Sequence, residues 1–255
     1  MKTFFLATLA LLVPFGSLFA QDNPPKSFRF IALGERPLWK EKLENGIRQG
    51  VKAPPGALPP SQLSIQAGEE TLLPFRPTLR MMSKVLTVPG KTPKLVLKQG
   101  EVGAAQDWLS SPMPTSRLNL GILFRDPANM NWNSPKMMLL KDDISSFPAG
   151  KARFVNVSDV MAIVQIGDWS GATKPKISAI RPGTSFVRPL EVGDNQIRVG
   201  YLGANRQPVW IWSNQIPLLK NQRVQAFFYK AQGPRPRTPL LFHFAPEPLP
   251  RPAEG

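Results

Sequence analysis

The chain has no cysteine and a single histidine, His243, in 255 residues. Without cysteine there can be no disulfide, no thiolate zinc site, no Cys nucleophile and no lipid-bearing Cys. One histidine cannot build a His-rich metal site either, so neither cofactor nor metal is expected. Acidic residues are also scarce, 17 against 32 Lys and Arg, which gives a formal net charge of +15. Past the first twenty residues no apolar run approaches the ~20 residues a membrane helix needs. No Gly-rich phosphate loop follows a strand pattern, and no nucleotide fingerprint is present.

The first twenty residues are different. Lys2 is their only charge, Phe4–Val13 is apolar, and Leu18-Phe19-Ala20 puts a small residue before Gln21. This is the pattern of a secretory signal cleaved after Ala20. The expected mature protein is exported, periplasmic or extracellular, with no transmembrane segment. Removing Lys2 leaves 31 basic against 17 acidic residues, or +14. Such a surface attracts polyanions weakly and without sequence preference. The basic residues are scattered, as on a solvated surface that also guards strand edges. Packing alone must hold a disulfide-free exported fold.

Twenty-nine prolines and nineteen glycines punctuate short segments rich in Val, Ile, Phe, Leu and Thr. This predicts an all-β chain with many turns. Strands are expected at Phe28–Leu33, Gln62–Gln66, Thr71–Phe75, Met81–Val88, Leu95–Lys98, around Trp108, and at Leu118–Arg125 and Lys136–Lys141. Eight more follow residue 150, ending with Pro239–Phe244. Leu38, Trp39, Leu43 and Ile47 stand near helical spacing, so a short helix is expected within Pro37–Gly50. The organisation read from these segments is a signal at 1–20, a β-sandwich domain at 21–143, a linker at 144–150, a second at 151–245 and a Pro-rich tail at 246–255.

The second half echoes the first. Leu95, Leu97, Trp108, Leu123, Phe124 and Pro135 meet Val199, Tyr201, Trp212, Phe227, Phe228 and Pro239 at an offset of 104. Ile65, Gly68 and Pro74 meet Ile180, Gly183 and Pro189 at 115, and Arg29-Phe30-Ile31 meets Arg153-Phe154-Val155 at 124. The shrinking offset implies longer loops in the first copy. Two tandem immunoglobulin-like β-sandwich domains are the expected fold.

Catalytic chemistry finds little support. His243 has no identifiable nucleophile and acid to complete a triad, so a strand residue facing solvent is expected. Asp142, Asp143, Asp159, Asp168, Glu191 and Asp194 lie beside turn residues, where capping explains them. Trp210 and Trp212 share one strand face, and at least one should be buried. Trp132 and Trp169 sit in loops beside Asn and Asp. They are the candidate ligand contacts, stacking on sugar rings, with a role as loop anchors the alternative. Asn156-Val157-Ser158 fits the N-glycosylation pattern.

Lys151–Asp159 reads Lys-Ala-Arg-Phe-Val-Asn-Val-Ser-Asp and leads into the apolar stretch Val160–Gly167. With Arg181-Pro182-Gly183 further on, it resembles the opening of uncharacterised β-sandwich domains in exported bacterial proteins. The resemblance implies fold and envelope location but no activity. Length, export and charge are also similar to periplasmic pilus chaperones, although the Arg and Lys that would anchor a client are not recognisable. The expected function is non-enzymatic: a binding or structural role at the bacterial cell envelope, with an envelope protein or glycan as partner. A glycan-binding module using loop aromatics and a pilus-chaperone-like protein are the alternatives.

Overall fold

The computed structural model describes residues 24–37, 41–101, 103–167, 176–233 and 236–249. The expected signal segment, Trp39 and Trp169 lie outside them. The first half carries β1 (Lys26–Leu33), β2 (Glu41–Glu44), β3 (Ile47–Gly50), β4 (Leu63–Gln66), β5 (Leu72–Phe75), β6 (Leu86–Val88), β7 (Lys94–Gln99), β8 (Gln106–Pro112), β9 (Leu118–Arg125) and β10 (Pro135–Lys141). The second carries β11 (Lys151–Asn156), β12 (Ala162–Ile166), β13 (Lys176–Ile180), β14 (Thr184–Pro189), β15 (Gly193–Leu202), β16 (Pro208–Leu218), β17 (Gln222–Lys230) and β18 (Leu240–Pro248). The chain is all-β, with no helix among the described residues. In particular, no helix is long and apolar enough to cross a membrane.

The two halves repeat one strand order. β10-β9-β1-β6 and β5-β4-β7-β8 form the sheets of the first half; β18-β17-β11-β14 and β13-β12-β15-β16 form those of the second. β1 pairs parallel with β9, and β11 pairs parallel with β17. Trp108 and Trp212 stand on corresponding strands, β8 and β16. The order differs from an immunoglobulin domain, whose second and third strands lie in different sheets. Here β4 and β5 are neighbours in one sheet, as are β12 and β13.

Register corrects the offsets read from sequence. Ile31 lies beside Ile122 and Val155 beside Phe227, so the true offset there is 105 (122 to 227). A slip of one residue reverses which face a side chain takes. Accordingly Leu123 faces the core of its own half, whereas Phe227 faces the other half. The offset of 115 joins β4 to β13 and β5 to β14, which are not equivalent strands. Apolar residues match too easily for that pairing to have been rejected from sequence.

Strand alternation explains the layering. On β1, Phe28, Phe30 and Ala32 pack against Leu63, Ile65, Leu95 and Leu97 of the facing sheet. Ile31 and Leu33 point the other way, with Leu120 and Ile122 of β9, onto Val155, Val157, Phe227 and Tyr229 of the second half. Phe154, Val224, Ala226 and Phe228 then pack on Ala162, Val164, Ile197 and Val199. The inner sheets β10-β9-β1-β6 and β18-β17-β11-β14 are therefore covered on both faces, which is why β1 and β17 read as nearly unbroken apolar runs. Burying each such side chain stabilises by ~1.5–3 kcal/mol. Gly121 is required by its neighbour: a Cβ there would meet the Phe30 ring at 2.5 Å.

Two boundaries differ from the sequence reading. The expected helix is instead the β2–β3 hairpin, turned by Asn45 (φ 52°) and Gly46 (φ 76°). Positive φ at both central residues is the I′ turn that Asn-Gly favours. The expected tail begins later, since β18 runs on through Pro246 and Pro248. It is an edge strand, where a missing N–H is tolerated.

Candidate functional site: a cation-lined cleft beside an inserted arm

One connection departs most from the repeat. β11 passes to β12 through five residues (157–161), but β1 reaches β4 through 29 (34–62). The second half forms its sheets without the extra segment, so the segment is not needed for the fold. It carries the β2–β3 arm, whose residues are all exposed. Leu43 and Ile47 stand 68% and 64% open to solvent, on opposite faces of the arm.

Where the arm returns, it walls a cleft of about 760 Å³ against the β5–β6 connection. Arg36, Lys52 and Arg76 line it, with no carboxylate among the described lining residues. Glu35 is turned away, its Oε2 accepting the Gln232 amide at 2.8 Å. The remaining described wall is mostly apolar, Val51, Leu58, Leu79 and the prolines 37, 59 and 77, with Ser61 and Thr78 as its polar side chains. A second hollow of about 460 Å³ adjoins it and shares Ser61 and Arg76. The size suits a small ligand, and the charge suits an anion. Trp132 braces the loop behind the cleft. Its amide donates to the Gly56 carbonyl at 2.8 Å, and its own carbonyl accepts the Trp108 indole N–H at 3.2 Å.

The two halves are held at fixed orientation by a buried charge cluster. Asp142, fully buried, accepts Arg29 Nε at 2.6 Å and Arg153 Nη1 at 3.3 Å and forms an ion pair with Arg223 Nη2 at 3.2 Å. Glu247 takes the forks of both Arg29 and Arg223. Burial pushes the Asp142 carboxyl up, with Arg29, Arg223 and Arg153 pulling against it. Burial acts upward on Glu247 too, but hydrogen bonds from Arg29 and Arg223 outweigh it and hold this carboxyl low. For Arg29, burial is outweighed by Glu247 and Asp142, and its pKa is raised. Burial wins for Arg153 and lowers it to about 10. The guanidinium carbons of Arg153 and Arg223 lie 4.1 and 4.8 Å from the centre of the Phe147 ring. Within 144–150, Phe147 thus packs under two arginines of the second half, and its carbonyl accepts Arg223 Nη1 at 2.8 Å.

The other sequence candidates fall as follows. Trp132 is 1% exposed and belongs to the core, as the loop-anchor alternative requires; its ring presents no face to a sugar. Trp169 and Asp168 lie outside the described residues. His243 points away from Phe242 and Phe244, but toward the first half, not solvent. It stacks on Phe227, and burial followed by the Arg80 charge lowers its pKa. Asn156 is fully buried; its Nδ2 donates to the Val160 and Ile180 carbonyls at 2.7 and 2.9 Å, so it is closed to glycosylation in the folded protein. Trp212 is half-buried against Phe242. The described residues contain no group of three or more His, Asp or Glu placed to hold a metal. The signals missed in sequence were the Asn45-Gly46 turn and Arg29 and Arg153, each alternating with apolar residues on a strand buried on both faces.

Compared with known proteins, the chain matches no family model and no curated protein.

Proposed function

We propose that this is an exported, non-enzymatic binding protein of the bacterial cell envelope. It is built from two tandem β-sandwich domains, immunoglobulin-like in size and in their two layers. The second copy serves as a rigid support, and the inserted segment of the first copy takes an anionic partner. The observation that carries this reading is the 29-residue connection present in one copy alone, with three cations and no carboxylate among the described residues that line its cleft. Fold alone says nothing of function, so the site bears the argument. The test is a titration with an acidic and a neutral polysaccharide at low and high salt. Binding of the acidic polymer that weakens with salt but persists is expected, because a built site adds contacts that screening does not remove. Absence of acidic-polymer binding at low salt would refute the reading.

A second reading, glycan binding, draws on the open flank of the second half. In the first half Trp132 stacks on Trp108 and covers the flank between β8 and β10. In the second, Trp212, Phe242 and Phe244 border hollows of about 350 and 400 Å³, with Asn214, Gln215 and Thr238 on their rims. An aromatic patch rimmed by amides suits a neutral sugar. Salt-resistant binding of the neutral polysaccharide, lost in Trp212→Ala, would move the function there.

A further inference from the structure

We infer that the cleft beside the β2–β3 arm takes an anionic amphiphile: one acyl chain ending in a carboxylate or phosphate. This rests on the binding reading above and narrows it to a ligand class. Three features select that chemistry. Arg36, Lys52 and Arg76 supply cationic donors, and among the described residues of the cleft wall there is no carboxylate. Among the described residues, no ion pair engages any of the three. Their charge is therefore available to a ligand head group, and guanidinium forks suit carboxylate and phosphate alike.

The rest of the described wall is mostly apolar, with only the Ser61 and Thr78 side chains polar. Val51 and Leu58 remain 46% and 45% exposed, and Leu79 and the prolines continue the surface. None of the described lining residues is aromatic. An alkyl chain needs only apolar area, which this wall provides. The adjoining hollow shares Ser61 and Arg76 but also carries Phe75 and Glu101, so the cleft itself, and not that hollow, holds the chain.

The experiment is calorimetric titration of the intact protein with monomeric dodecanoate, dodecyl phosphate, dodecyltrimethylammonium and acetate. Dodecanoate and dodecyl phosphate should bind one per chain. Dodecyltrimethylammonium and acetate should each bind at least about tenfold more weakly, one lacking the right charge and the other the chain. The double variant Arg36→Gln/Arg76→Gln should weaken dodecanoate about tenfold, the scale of a lost charge-assisted contact. Leu58→Asn should weaken dodecanoate while leaving acetate unchanged. Equal binding of acetate, equal binding of the cationic amphiphile, or no effect of the double variant would each overturn the inference. If dodecanoate fails while acidic-polysaccharide binding persists, the amphiphile is wrong and the anion-binding reading stands. If both fail, the reading fails with it.

Discussion

Replacing Asp142 by Asn should destabilise the protein more than so small a change in shape suggests. The carboxylate is fully buried, accepts from Arg29 and Arg153 at 2.6 and 3.3 Å, and pairs with Arg223 at 3.2 Å. Gln225 Nε2 approaches it as well, at 3.4 Å. An amide would lose the negative charge and turn two N–H donors toward groups that only donate. Glu247 would be left as the anion of the cluster, facing Arg29 and Arg223. Removing one partner of a buried ion pair costs ~3–5 kcal/mol, because the other charges stay buried and unpaired. For a chain of this size each kcal/mol moves Tm by ~2–4 °C, so a fall of roughly 6–20 °C is expected. Calorimetry at neutral pH reads it directly. Adding Arg29→Met to the Asp142→Asn variant should recover part of the loss, since it removes an uncompensated cation. A fall below about 2 °C would mean that the carboxylate's own desolvation already cancels its attraction to the arginines. The cluster would then not be the lock described.

Other substitutions separate the parts of the account. Arg29→Met should cost more stability than Arg153→Met, because the pKa of Arg29 is raised by its partners whereas burial lowers that of Arg153 to about 10; denaturant titration of both variants checks the order. Gly121→Ala should destabilise by ~1–3 kcal/mol, because the new methyl lands 2.5 Å from the Phe30 ring. The Ser145 hydroxyl, against a small burial effect, and the Ser146 amide hold Asp143 down at about 2. A depressed carboxyl stabilises above its unfolded pKa, and that contribution disappears as the pH falls through the folded one. Asp143→Ala should therefore be less stable than wild type above pH ~4, and the two should converge toward pH ~2. A gap independent of pH would show that the carboxylate plays no part.

Much of the strand pattern was legible because alternation and turn residues are local. β1, β4, β7, β9, β11 and β17 fall close to where apolar alternation and Gly or Pro breaks put them. The arm was misread because Leu43 and Ile47 sit four apart, a helical spacing, while Asn45-Gly46 between them dictates a hairpin. The repeat was legible as an order of strands but not as a register, since one-residue slips leave apolar residues matched to apolar ones. The charge cluster was not legible at all. Arg29, Asp142, Arg153, Arg223 and Glu247 are scattered over the chain, and only the back-to-back packing of the two inner sheets brings them together. The cleft was half visible. The shrinking offset announced extra length in the first copy, but the meeting of Arg36 and Lys52 with Arg76 depends on how that length folds back.

The sharpest test of the central claim compares two variants with equal net charge. One is Arg36→Gln/Lys52→Gln/Arg76→Gln, within the cleft. The other is Lys91→Gln/Arg181→Gln/Lys220→Gln, all exposed and remote from its lining. Each removes three positive charges, so a general attraction between a basic surface and a polyanion weakens equally in both. Acidic-polysaccharide affinity at moderate salt should fall about tenfold or more in the cleft variant. It should fall only slightly in the remote one. Equal losses in the two variants would contradict the account and return the binding to net charge alone.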